Sequence, residues 1–230
     1  MSTISLSPAA PNAPVSAIEL RAAEWRFSSG ASLWPTPIDL TLLRQRTGLV
    51  GRNGSGKSLL CALVAGDRSP TSGSVDRHGP VCAVGQEPSG ETAADLAGLG
   101  APFAALRRIE AGKAAPADWD LADGQWDLPG RWDSALREAR LPPIRPNDDA
   151  SLLSGGQRQR VALDAVFLRQ GTFLVLDEPS NHLDASAHDW LLAKMTQWPT
   201  GLLIASHDRA LLRGMDRIIE IDANGPQLRW

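Results

Sequence analysis

The sequence predicts an α/β layered domain with a largely parallel sheet, and three observations carry that reading. Strands alternate with helices along the chain, one short apolar strand runs straight into a glycine-rich turn and a helix, and a second, fully apolar strand ends in two acids. Taken in order, strands are read over residues 18–24 and 38–43, and a further strand over 47–50 enters the turn. Residues 57–65 carry the apolar spacing of a helix that Gly66 and Pro70 terminate. Residues 74–84 read as short strands broken at His78, Gly79 and Pro80. The pattern then turns helical, with pieces at 103–110 and 134–139, so that about 88–152 reads as an inserted helical subdomain whose last stretch, 141–150, is a proline-bearing connector. A helix over 155–169, a strand over 173–176, a helix over 185–198, a strand over 202–205, a helix over 208–213 and a strand over 217–221 complete the domain. Residues 1–16, with Pro8, Pro11 and Pro14, read as a flexible leader to a single domain over 17–230.

Composition limits what such a domain can do. The 230 residues carry 23 Lys plus Arg against 26 Asp plus Glu, a formal charge of −3, which argues against a general nucleic-acid-binding surface. A hydrophobic fraction of 43% suffices for a core. No apolar run approaches the roughly 18 residues that a membrane span needs, and the amino end lacks the basic and apolar regions of a secretory signal. Cys61 and Cys82 have no metal-ligand spacing and read as two buried thiols in a reducing cytosol.

The glycine-rich turn, Gly51, Arg52, Asn53, Gly54, Ser55, Gly56, Lys57, Ser58, matches G-x-x-x-x-G-K-[ST]. Glycines let backbone N–H groups converge on phosphate oxygens, and the following helix adds its positive dipole end. The Lys57 ammonium can reach the β- and γ-phosphates, while the Ser58 hydroxyl can ligate Mg²⁺. The second strand runs Phe173, Leu174, Val175, Leu176 into Asp177 and Glu178. A strand buried on both faces delivers its next residues to the carboxyl edge of the sheet, where ligands of open α/β folds bind. Asp177 is placed there to hold Mg²⁺ through water, and Glu178 to polarise an attacking water. A third motif, Leu153, Ser154, Gly155, Gly156, Gln157, opens another helix and forms a second anion-type helix start. One nucleotide needs only one such site, so the second loop is expected to cover a nucleotide bound to another copy or another domain.

Together these motifs resemble those of the ATP-binding cassette (ABC) ATPases, over residues 18–221. Residues 51–58 look like the Walker A loop, Gln86 like the Q-loop glutamine, and Leu153 to Gln157 like the LSGGQ signature. Asp177 and Glu178 close a Walker B motif, residues 180–184 with Asp184 look like the D-loop, and His207 looks like the switch histidine. Aligning the first strand on the family's pattern puts Phe27 where an aromatic stacks on adenine. The run Leu176, Asp177, Glu178, Pro179, Ser180, Asn181, His182, Leu183, Asp184 is similar to the LDEPTNHLD of the ABC-F branch, with Ser180 for the usual Thr. Asp164 and Ala165 depart from the Ala-Arg pair common there.

The resemblance implies a P-loop NTPase fold of the ABC nucleotide-binding type: a mostly parallel sheet core, an antiparallel β subdomain and an inserted helical subdomain. It implies ATP and Mg²⁺ as cofactors. Phe27, residues 51–58, Ser154, Gly155, Gly156, Gln157 and Asp184 would contact nucleotide, and Ser58, Gln86 and Asp177 would hold the metal. Glu178, His207 and Gln86 would serve catalysis. The expected partner is a second cassette, in a homodimer or in a missing second half of the same protein, since ABC-F proteins carry two cassettes and this chain holds one. A fragment, an excised domain or a truncated gene product is the expectation that follows. A cytoplasmic, ribosome-associated role in translation or antibiotic resistance is the leading expectation; the ATP-binding subunit of a membrane transporter and a low-turnover interaction module are the alternatives. Among the remaining residues, Trp119, Trp126 and Trp132 are expected to pack the subdomain, His182 to shape the D-loop, and His78, His188, Arg158 and Arg160 to face solvent.

Overall fold

A computed structural model describes residues 16–86, 88–169, 171–181, 183–222 and 224–228. The leader therefore lies outside the described residues except for Ser16, which already opens a strand. The first elements are β1 (Ser16–Glu24), β2 (Ile38–Leu43), β3 (Arg46–Gly51), α1 (Lys57–Ala65), β4 (Ser72–Arg77) and β5 (Val81–Val84). Four helices follow, α2 (Ala93–Leu96), α3 (Gly100–Glu110), α4 (Pro116–Ala122) and α5 (Leu128–Glu138). The remainder is α6 (Gly155–Val166), β6 (Phe173–Asp177), α7 (Ala185–Gln197), β7 (Leu202–Ala205), α8 (Arg209–Arg213), β8 (Arg217–Asp222) and β9 (Gly225–Leu228).

Two sheets form. One is antiparallel with three strands in the order β2-β1-β4; the other has six, in the order β5-β6-β7-β3-β8-β9. The pairs β5/β6, β6/β7, β7/β3 and β3/β8 are parallel, and β8/β9 alone in that sheet is antiparallel. This is the predicted layered architecture, with the central strands near-continuous in apolar residues because helices or the second sheet cover both faces. The period of two sorts them. Phe173 and Val175 of β6 join Leu203 and Ala205 of β7 in a core shared with α1 and the antiparallel sheet. Leu174, Leu176, Leu202 and Ile204 point the other way, against Leu163 of α6 and Leu191 and Met195 of α7.

The inserted helices have their own core. Trp132 of α5 is 2% exposed, packs edge-on against Phe103 with centroids 5.5 Å apart, and donates its indole N–H to the Ile144 carbonyl at 2.8 Å. That bond and those from Ala93 to Asp148, Ala94 to Pro146 and Ala150 to Glu91 (2.9 Å each) fasten the proline-bearing connector to the subdomain. Val161 and Ala165 belong to the same core, so α6 is the shared wall between subdomain and sheet.

Several boundaries and placements differ from the sequence reading. The helix expected to start at Ser134 begins at Leu128, because Pro129 sits in its first turn, where the missing N–H costs nothing. The helix expected through Arg169 stops at Val166, as Leu168 and Arg169 bond back to Ala165 and Val166 in tight three-residue turns. Strand β9 was not expected at all. Of the tryptophan trio only Trp132 packs inward; Trp119 and Trp126 are 53% and 56% exposed. His188 is not a bare surface residue: its Nε2 lies 2.7 Å from the Asp208 carboxylate, tying α7 to the start of α8. Arg160 is partly buried and donates to the Ala139 carbonyl, so only Arg158 faces solvent as expected. His78 is exposed, and both cysteines are free and buried, as expected. His182 lies outside the described residues.

Asp164 accounts for the departure in α6. It is 3% exposed, and burial first, then Glu138, raise its carboxyl, against the lowering effect of Lys194 and Arg160, to about 7. The folded chain thus keeps a proton that the unfolded chain releases above about pH 4, so this residue makes stability fall as pH rises from about 4 to about 7. The substitution Asp164→Asn is expected to stabilise the protein by about 4 kcal/mol near pH 8 and by almost nothing near pH 4, a difference that urea unfolding at the two pH values reads directly.

Candidate nucleotide site

The site begins where β3 ends. Residues between β3 and α1 reverse the chain through glycines in left-handed backbone, Gly54 at φ 80° and Gly56 at φ 103°. Gly56 is doubly constrained, since a Cβ there would lie 2.6 Å from the Trp34 ring. Trp34 is 4% exposed and its indole donates to the Ser55 carbonyl at 3.1 Å, clamping the turn from outside. The helix that follows starts without a side-chain cap, which leaves its first amides available to a ligand.

Lys57, 7% exposed, donates its ammonium to the Gly51 carbonyl at 2.9 Å and the Arg52 carbonyl at 3.4 Å, and lies 3.2 Å from His207 Nε2. The same imidazole nitrogen is 3.2 Å from Asn53 Oδ1 and 3.5 Å from Glu178 Oε1. Three sequence-distant segments, the turn after β3, the end of β6 and the end of β7, thereby meet at one point. Glu178 occupies left-handed backbone at φ 48°, rare for a side-chain-bearing residue, and its N–H bonds the Ala205 carbonyl at 2.8 Å. Beneath them Cys61 is buried; burial first, then Asp177 and Glu178, push its thiol well up, so it is a packing residue rather than a nucleophile.

A cavity of about 610 Å³ opens over this point. Phe27, Asn53, Gly54, Gly56, Lys57, Ser58, Gln86 and Glu178 line it, all from the predicted set. Gly51 and Arg52 contribute their carbonyls, and Ser55 is held by Trp34. Trp25, Leu33 and Arg68 also line the cavity and were not foreseen; the Arg68 guanidinium lies over the Trp25 ring, 5.4 Å from its centroid. A glycine-lysine pattern identifies a phosphate loop, but nothing in local sequence marks the aromatics that a separate sheet brings alongside.

Other predicted residues stand apart from this wall. Ser154 and Gln157 form a reciprocal capping box on α6, the hydroxyl accepting from the Gln157 amide at 3.2 Å and the Gln157 side chain from the Ser154 amide at 2.9 Å. Gly155 is exposed beside them, at the edge of another cavity that includes Gln86. Asp184 caps α7 by accepting from the Ala187 amide at 2.8 Å.

The residues present fit a magnesium ion. Asp177 Oδ1 is buried with no hydrogen-bond partner, an orphaned oxygen one residue before the cavity-lining Glu178. Among the described residues no group of three or more His, Cys, Asp and Glu could enclose a metal. One unpartnered carboxylate oxygen suits Mg²⁺, which keeps waters and takes phosphate oxygens instead of an all-protein cage.

The ABC transporter family matches residues 37–181. The chain belongs to that family. It is an ABC-type cassette. The tylosin resistance ATP-binding protein TlrC of Streptomyces fradiae is 32% identical over 210 residues, covering 79% of this chain and 38% of that protein. The energy-dependent translational throttle protein EttA of Mycobacterium tuberculosis is 31% identical over 201 residues, 77% of this chain and 36% of that protein. This chain spans about a third of the length of such curated relatives. In fold it is similar to an ATP-binding cassette solved as a dimer in a post-hydrolysis state with ADP and Pi, at TM-score 0.69 and 19% identity, over 92% of this chain and 97% of that one. Among the described residues no helix of this ABC cassette is long and apolar enough to cross a membrane.

The clamp on the turn is testable by stability. Gly56→Ala introduces both a strained φ and a contact with Trp34, and is expected to cost about 2–3 kcal/mol in urea unfolding. Gly54→Ala, where an added Cβ meets nothing within 4 Å, should cost only about 1 kcal/mol.

Proposed function

We propose that this cassette binds Mg²⁺-ATP in the cavity over Lys57 and hydrolyses it as one half of a nucleotide-gated pair. The observation that carries the reading is the convergence of Lys57, Asn53, His207 and Glu178 at one point beneath a cavity that also holds Ser58 and Gln86. Phe27, half exposed at the cavity's rim, stacks on the adenine. The Lys57 ammonium exchanges its loop carbonyls for the β- and γ-phosphates, alongside the amides of residues 51–58. Ser58, Gln86 and Asp177 hold the magnesium ion, which when bound neutralises charge on the transferred phosphoryl group.

Hydrolysis is then a displacement at the γ-phosphorus. Glu178 orients a water and accepts its proton as the new P–O bond forms; the bond to the β–γ bridging oxygen breaks and ADP leaves. His207, already beside both Lys57 and Glu178, contacts the γ-phosphate. The signature residues Ser154, Gly155, Gly156 and Gln157, with Asp184, serve a facing cassette, a reading supported by Gly155 opening onto a different cavity. The inserted helical subdomain, about 88–152, carries the signature to the partner's nucleotide. Similarity to a translational throttle protein and to a tylosin resistance protein supports a cytoplasmic, ribosome-associated role for the assembled protein.

Glu178→Gln is expected to keep ATP affinity while lowering turnover by about 100-fold or more, as loss of a general base does; Lys57→Ala should lose binding as well. Equilibrium ATP titration and phosphate release measure the two separately. With ATP present, the Glu178→Gln protein should co-sediment with ribosomes. Sedimentation with membranes instead would establish a transporter subunit.

A further inference from the structure

The geometry points to a second binding surface, a tryptophan platform on the inserted helices that takes the cationic side chains of a basic polypeptide segment. Trp119 of α4 and Trp126 of the following turn are more than half exposed, yet their ring centroids lie 6.1 Å apart at a tilt of 50°. Two large rings held together at the surface and left uncovered are unlike the scattered single hydrophobics of an ordinary surface. Their neighbours are buried: Ala122 and Leu128 have no exposure and Trp132 only 2%.

The scaffold under the pair is fastened. Arg108 of α3 grips the Asp118 carboxylate through Nε at 3.0 and 3.1 Å and through Nη2, and the Ala115 amide donates to the same carboxylate at 2.8 Å. On the other side, Arg131 of α5 donates to Gln125 at 2.8 Å and pairs with Asp127 at 3.1 Å, fixing the residues on both sides of Trp126. Rings on such a support lose little freedom when a ligand arrives.

Charge selects the occupant. Residues 114–128 contain four aspartates and no lysine or arginine. Asp118 is taken by Arg108 and Asp127 by Arg131, whereas Asp120 and Asp123, both exposed, form no ion pair among the described residues. A π-face attracts a cation, indole most strongly, and the two carboxylates of the segment between the tryptophans add a negative field. A guanidinium or ammonium over one ring can lay its aliphatic stem along the other. The same carboxylates repel a phosphate backbone, which sets this surface against RNA even though bases also stack on tryptophan.

The test uses the full chain and a short fluorescent Arg-Gly repeat peptide, with a Glu-Gly repeat and a single-stranded polyuridine as comparisons, read by anisotropy. The Arg-Gly peptide should bind, more weakly as salt rises, and the other two should not. Trp119→Ala with Trp126→Ala should weaken binding about tenfold. Asp120→Asn with Asp123→Asn, which leaves both rings in place, should weaken it about threefold and flatten the salt dependence. ATP turnover of both variants should match that of the parent, showing an intact fold. Equal peptide affinity in all variants overturns the proposal, as does preference for polyuridine. So does ring-dependent self-association in sedimentation without peptide binding, which would assign the platform to a second copy of this chain.

Discussion

Lys57 is almost fully buried, and its ammonium meets two loop carbonyls and an imidazole rather than a carboxylate. A buried cation left without a counter-charge costs several kcal/mol, and in real proteins it is held only where the surroundings over-determine its position. Here the surroundings are the turn itself, the wall of Trp34 against Gly56, and the end of β7 that delivers His207. The same turn brings the uncapped start of α1 to the cavity, and a helix start offers amides and the positive end of its dipole to an anion.

The rest of the fold can be understood as what keeps that turn in place. Strand β3 lies between β7 and β8 in parallel register, so the Lys57 turn emerges from the middle of the sheet and not from an edge. Strand β7 and, beyond it, β6 are buried on both faces, by α1 and the antiparallel sheet on one side and by α6 and α7 on the other. Two-sided burial is what forces the acids Asp177 and Glu178 to appear together at the carboxyl edge. Helix α6 contributes to the sheet's second core and to the core of the inserted helices, so the signature loop at its start is mounted on the boundary between them.

Local chemistry was the part most easily read from the residues. Helix α1 and strands β2 and β7 fall where apolar spacing and glycine punctuation place them, because each is bounded by residues whose backbone preference is decisive, such as Gly56 and Gly66 at the ends of α1. Five of the eight predicted site residues that line the cavity, Asn53, Gly54, Gly56, Lys57 and Ser58, do so for the same reason: their motif specifies backbone shape as well as side chains. The failures share a different cause. Trp119 and Trp126 carry the apolar content of core residues but stand on the outside, and His188 finds Asp208 across two helices. Asp164 sits on a helix whose both flanks are covered, which no count of its sequence neighbours reveals.

By itself, then, the sequence determined the alternation of strands and helices, the phosphate-type turn with Lys57 and Ser58, and the acidic pair after an apolar strand. Those features depend on backbone dihedrals and on periods of two or 3.6 residues, which neighbouring residues set. Only the tertiary structure decided that Trp34 clamps the turn, that Arg68 and Trp25 share the nucleotide-sized cavity, and that Trp132 packs on Phe103 while Trp119 and Trp126 stay outside. Each of these is a contact between segments far apart in the chain. Burial and partner choice there follow from how whole layers pack, and that information is not carried by any one stretch of residues.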